Sequence, residues 1–153
     1  MRYRRPTRLR GFPYVGFYRY HLRFSTNGDR LFARGDLVDA ALVEIRRTAR
    51  DERFALLAYC FMPAHLHLLV EGEHESSDLR RFARLSKQRV SYVHRTQFRI
   101  KTTWQDGYFE RVLRAEEATE VVVRYVLDNP VRAGLVTQAE DYPFSGALHW
   151  PSA

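Results

Sequence analysis

Along the chain the period of the hydrophobic positions changes in step with turn-forming residues, and the changes predict the elements. From Pro13 to Phe24, Tyr14, Tyr18, Tyr20, Leu22 and Phe24 take even positions, while Arg19, His21 and Arg23 take odd ones. That alternation predicts a strand with one buried face, and Asn27-Gly28-Asp29 supplies the turn after it. Asp36 is placed to cap a helix running to about Arg50, with Leu37, Ala41, Ile45 and Ala49 on one stripe. Phe54 to Met62 predicts a buried strand, Pro63-Ala64 breaks it, and His65 to Glu71 predicts a second, so the pair forms a hairpin. Ser77-Asp78 opens a helix toward Thr96, with Leu79, Phe82 and Val93 inward. Tyr108 to Leu113 predicts a further strand, and Ala115-Glu116-Glu117 starts a helix. That helix should end near Asn129, because Pro130 disfavours αR geometry in the residue before it, although Val121-Val122-Val123 would also suit a strand.

Strand, helix, hairpin, helix, strand, helix is the order of an α+β fold, an antiparallel sheet with helices packed mainly on one face. At 153 residues one domain is expected. It would occupy residues 13–136, preceded by a basic arm over 1–12 and followed by a Pro- and Gly-punctuated tail over 137–153.

Composition narrows the classes. An apolar fraction of 45% argues against general disorder, and the longest apolar run, Phe54 to Met62, is too short to span a bilayer. With no signal-peptide pattern either, a soluble cytoplasmic protein is expected. The single cysteine, Cys60, excludes an internal disulfide framework and a multi-cysteine zinc site. Lys and Arg number 25 against 18 Asp and Glu, which points to an anionic partner such as nucleic acid. All but Lys87 and Lys101 of these cations are arginine, a residue that grips phosphate bidentately, although the coding bias of a GC-rich genome would give the same skew. Arg80, Arg84 and Lys87 share one stripe of their helix.

Two constellations carry chemistry. On a strand, His65 and His67 project from one face while Leu66 and Leu68 enter the other, so two imidazoles can hold a divalent metal. Alone, they also fit a strand whose polar face happens to carry two histidines. On a helix, Tyr125 and Asn129 lie a turn apart, offering a phenol nucleophile and an amide oxygen to the same metal. Alone, Tyr125 also fits an apolar core stripe with Ala118 and Val122. Together they match what metal-assisted cleavage of single-stranded DNA requires.

Cys60-Phe61-Met62-Pro63-Ala64-His65-Leu66-His67-Leu68-Leu69-Val70 resembles the His-hydrophobe-His signature of the single-tyrosine HUH transposases. Tyr125 through Val136, with Asn129-Pro130-Val131-Arg132-Ala133-Gly134, is similar to the tyrosine block of their REP-associated branch. Trp104-Gln105, Tyr108 to Arg114 and Asp141-Tyr142-Pro143-Phe144-Ser145 fit the same group, so the resemblance runs from about Tyr14 to Ser145. It implies a ferredoxin-like sheet with both histidines on a central strand and the tyrosine on a facing helix. His65 and His67 would then bind Mg²⁺ or Mn²⁺, and Tyr125 would form a 5′-phosphotyrosine. Asn129 stands where insertion-sequence relatives often carry a Gln ligand, and its shorter side chain would reach the ion directly or through water. The implied substrate is single-stranded hairpin DNA, REP-like palindromes of bacterial chromosomes, with the protein in the nucleoid as a monomer or homodimer.

Arg80, Arg84, Lys87, Arg111 and Arg132 are candidate phosphate contacts, and Trp104 either stacks on an extruded base or belongs to the core. His21, His74, His94 and His149 read as histidines of loops or polar faces. The competing function is a domesticated relative that holds hairpin DNA or RNA without cutting it.

Overall fold

The computed structural model describes residues 9–148. Most of the basic arm, including Arg2, Arg4, Arg5 and Arg8, and His149 lie outside them. The chain runs β1 (Arg19–Ser25), α1 (Gly35–Asp51), β2 (Phe54–Met62), β3 (His65–Gly72), α2 (Leu79–Phe98), β4 (Phe109–Val112), α3 (Thr119–Leu127), α4 (Asn129–Arg132) and β5 (Ser145–Ala147). All strand pairings are antiparallel, in the order β4-β1-β3-β2-β5, which puts the histidine strand β3 at the centre. The first four strands with α1 and α2 make the ferredoxin-like arrangement the resemblance implies.

Side-chain alternation on the central strands builds two cores. Leu22 and Phe24 of β1 and Leu66, Leu68 and Val70 of β3 pack with Val38, Ala41 and Ile45 of α1 and Leu79, Phe82 and Val90 of α2. On the opposite face, Leu69 of β3 and Cys60 and Met62 of β2 meet Val122, Val123, Val126 and Leu127 of α3. The two long helices therefore cover one face, and α3 covers only part of the other. Beside α3 on that face stand His65 and Arg23, half-buried, and His67 and His21, buried.

Several boundaries moved, each for a local reason. The strand expected from Pro13 starts at Arg19, because Tyr14 takes a left-handed φ of 56° and the segment before β1 bonds instead to the start of α2, Leu79 N–H to Tyr14 O at 2.9 Å. Gly72 makes that route possible: a Cβ there would stand 1.9 Å from Gly16 O. Asp36 lies in the first turn of α1 rather than capping it, and Arg34 occupies the cap position. Asp78 does cap α2, accepting from Arg81 N–H at 3.1 Å. The helix expected to stop near Asn129 ends at Leu127, and α4 continues through Pro130, which sits in its first turn where a missing N–H costs nothing.

The segment read as a tail completes the sheet. Ser145, Gly146 and Ala147 pair with Cys60, Tyr59 and Ala58 of β2, and the Tyr142 hydroxyl donates to Phe61 O.

Candidate active site

Strand register gathers the site. His65 and His67 share the face of β3 turned toward α3, with ring centroids 5.0 Å apart. On β1, Arg23 stands opposite His67 and His21 opposite Leu69; on β4, Arg111 stands opposite His21 and Phe109 opposite Arg23. Residues two apart on each strand thus face the same way. His21, Arg23, His67, Phe109, Arg111 and Tyr125 line a cavity of about 230 Å³.

Tyr125 reaches this cavity because α3 spends its other faces on the core: Val122, Val123, Val126 and Leu127 are buried. The tyrosine itself is 54% exposed, and its ring meets His21 edge-on with centroids 6.2 Å apart. The apolar stripe with Ala118 and Val122 is therefore not how Tyr125 sits. Arg132, brought back by α4, lays its guanidinium 4.2 Å from the ring centroid and donates to Tyr125 O at 2.8 Å. Asn129 donates its amide nitrogen to Val126 O at 2.9 Å, leaving Oδ1 as its remaining acceptor.

His21 is not the solvated histidine expected. It is 6% exposed, and its Nε2 lies 2.9 Å from His67 Nδ1. Burial, with Arg111 and Arg23 adding to it, lowers its pKa to about 4. Burial first, then the neighbouring imidazoles, Arg23 and Arg132, holds His67 well below the usual range, and burial and Arg23 lower His65. All three rings are therefore neutral near pH 7, the state in which an imidazole nitrogen can bind a metal. Among the described residues, no group of three or more His, Cys, Asp or Glu side chains is arranged to hold a metal ion. Two neutral imidazoles on one strand face, His65 and His67, are donors of the kind that could hold a divalent ion with open positions for water or phosphate oxygens.

The other predicted contacts divide. Arg111 lines the cavity and is paired to Glu117 at 3.0 Å, and Arg132 lies against the ring of Tyr125, which also lines it. Arg80, Arg84 and Lys87 ride on α2, across the sheet. Arg80 covers the Tyr14 ring at 5.1 Å, Arg84 is exposed, and Lys87 Nζ donates to Gln105 O and Gly107 O at 2.9 and 2.7 Å. Trp104 belongs to the core: it is 8% exposed, packs against Phe24 and Phe32, and donates its indole N–H to Lys87 O, so it offers no face to a base. His94 is likewise no polar-face residue; fully buried, it bridges Leu37 O and Thr103 Oγ1 at 2.9 and 3.0 Å.

The buried histidines set a pH dependence in the metal-free protein. His21 falls from 6.5 to about 4, and burial also lowers His94. Below about pH 6.5 the unfolded chain binds protons that the native state refuses, so stability present at pH 7 is lost on acidification. For His21 alone the loss by pH 4 is on the order of 3 kcal/mol. Denaturant melts at about pH 7.5, 6 and 5 measure it; a midpoint that rises on acidification contradicts the assignment.

Three comparisons place the chain among known proteins. The family model described as "Transposase IS200 like" matches residues 15–129. A REP-associated tyrosine transposase of Escherichia coli is 32% identical over 104 residues, covering 66% of this chain and 59% of that protein. A Haemophilus influenzae relative is 27% identical over 110 residues, covering 65% of this chain and 62% of that protein. The chain thus spans about six tenths of the curated relatives it matches. A solved structure of a REP-associated tyrosine transposase bound to a REP hairpin shares the fold, with a TM-score of 0.76 at 22% identity over 92% of this chain and 82% of that one. Because the matched span contains both β3 histidines, Tyr125 and Asn129 and extends over most of the sequence, the chain belongs to the IS200-like transposase family.

Proposed function

We propose that the protein is a metal-dependent endonuclease and strand transferase acting on single-stranded hairpin DNA of the REP-like palindromic type. The observation that carries this reading is the cavity that sets Tyr125 beside His67, His21, Arg23 and Arg111. His65 and His67, with Asn129 directly or through water, would hold Mg²⁺ or Mn²⁺, which supplies charge withdrawal from a non-bridging phosphate oxygen.

The chain's own groups do the rest. Arg23 and Arg111 line the cavity and Arg132 lies against the Tyr125 ring, positive charge that would attract a phosphodiester and orient it. Tyr125 Oη attacks phosphorus as it gives up its proton. The new Tyr–O–P bond replaces the P–O3′ bond, the 3′ oxygen leaves and is protonated to a hydroxyl, and the 5′ phosphate stays on the protein. Because the phosphodiester energy is conserved in that link, a second 3′ hydroxyl can reverse the exchange and join strands without ATP. No helix among the described residues is long and apolar enough to cross a membrane, which accords with a site of action on chromosomal DNA in the bacterial cytoplasm.

The test is a labelled single-stranded hairpin oligonucleotide mixed with the protein. Cleavage and a denaturation-resistant adduct are expected with Mn²⁺ or Mg²⁺, lost in chelator and restored by Mn²⁺. Cleavage that survives chelation removes the metal from the mechanism. Tight hairpin binding with no cleavage under any ion makes the protein a non-cutting binder.

A further inference from the structure

We infer that His21 is a positioning residue that fixes the tautomer of His67, presenting His67 Nε2 as a preformed ligand before any ion arrives. The inference rests on the metal-dependent reading above, and it names a residue to which neither the motif nor the family match gives a role.

The geometry carries it. His21 Nε2 and His67 Nδ1 stand 2.9 Å apart with both side chains buried, so one ring must donate and the other accept. If His67 carries its proton on Nδ1, it donates to His21 Nε2, and His67 Nε2 keeps a free lone pair. If His21 donates, the proton of neutral His67 sits on Nε2, and that atom cannot bind a cation. His67 Nδ1 is taken in either case, so Nε2 is the only atom of this ring left for a metal. His21 itself is excluded as a ligand through Nε2, because that atom faces His67.

The partner's identity matters. Metal-binding histidines usually donate their second N–H to a carboxylate or a backbone carbonyl, which accept only. An imidazole can donate or accept, and in the acceptor role inferred for His21 it adds none of the negative charge a carboxylate would. The charged groups that act on His67 are Arg23 and Arg132, both cations. The pair therefore orients the ligand while leaving the cavity positive for phosphate.

The experiment uses the whole chain without DNA. Long-range ¹H–¹⁵N correlation spectra of the metal-free protein read the tautomer directly, and Mn²⁺ titration followed by electron paramagnetic resonance reads affinity. In the wild type, His67 is expected with its proton on Nδ1. His21→Phe keeps a ring but removes the acceptor, and should shift His67 toward the Nε2–H form and weaken Mn²⁺ binding about 10- to 100-fold. His21→Gln, whose amide oxygen can stand where Nε2 stood, should recover much of both. A wild-type His67 protonated on Nε2 overturns the inference even if His21→Phe does not fold. Unchanged Mn²⁺ affinity in folded His21→Phe overturns it while leaving the metal reading intact. Mn²⁺ binding that is absent from the wild type, or indifferent to His67→Ala, removes both.

Discussion

Tyr125→Phe is expected to abolish the proposed covalent protein–DNA adduct and to lower hairpin cleavage by about three orders of magnitude or more, while hairpin binding survives. The substitution removes one oxygen and nothing else that the fold uses. The ring still lies under the Arg132 guanidinium, still meets His21 edge-on, and is half exposed, so stability should change by less than about 0.5 kcal/mol. Binding should survive because the cations around the cavity are untouched. Denaturing gels of end-labelled oligonucleotide give the adduct, and filter binding gives the affinity. A persisting adduct takes the nucleophile role from Tyr125 and sends the search to other tyrosines, first Tyr18 and Tyr92, exposed among the described residues.

His65→Ala and His67→Ala are each expected to reduce the proposed single-turnover cleavage by about two to three orders of magnitude, the range for a loss of several kcal/mol of metal stabilisation. The two differ in what they do to the fold. His65 is partly exposed and its loss leaves no buried group behind. Removing His67 strands the buried His21 nitrogen that now bonds to it, which should cost about 1–3 kcal/mol. Activity should fall in both variants, but the melting midpoint should fall only in His67→Ala. A His65→Ala protein that cuts at the wild-type rate would exclude that residue as a ligand.

What local pattern could reveal was decided by how far apart the interacting residues lie. The β2–β3 hairpin was legible because two residues of turn join a nine-residue apolar strand to one of alternating polarity, and strand geometry alone then puts His65 and His67 on one face. Arg19, His21 and Arg23 were legible as a face but not as a site. The bond from His21 to His67 spans 46 positions, and only the β1–β3 register creates it. Trp104 as a DNA contact and His94 as a polar-face residue both proved buried, for one reason. A buried polar side chain is recognised by its partner, and the partners, Lys87 O for one and Leu37 O and Thr103 Oγ1 for the other, are not encoded near them. Taken alone, Tyr125 also fitted a core stripe, because a short helix packed on one side only has few positions to separate an inner stripe from its margin.

The strand contributed by Ser145 to Ala147 has a further consequence. β2 reads Phe-Ala-Leu-Leu-Ala-Tyr-Cys-Phe-Met, nine residues without a charge or a proline, and without β5 it would be the open border of the sheet. Such a border is a template for pairing with another chain, the first step of aggregation. β5 bonds to the middle of that border, the Phe61 N–H donates to the Phe144 carbonyl, and the Leu148 N–H donates to the Leu57 carbonyl. The last described residues thus act as a guard against self-association, shielding the strand next to the histidines without touching the site itself.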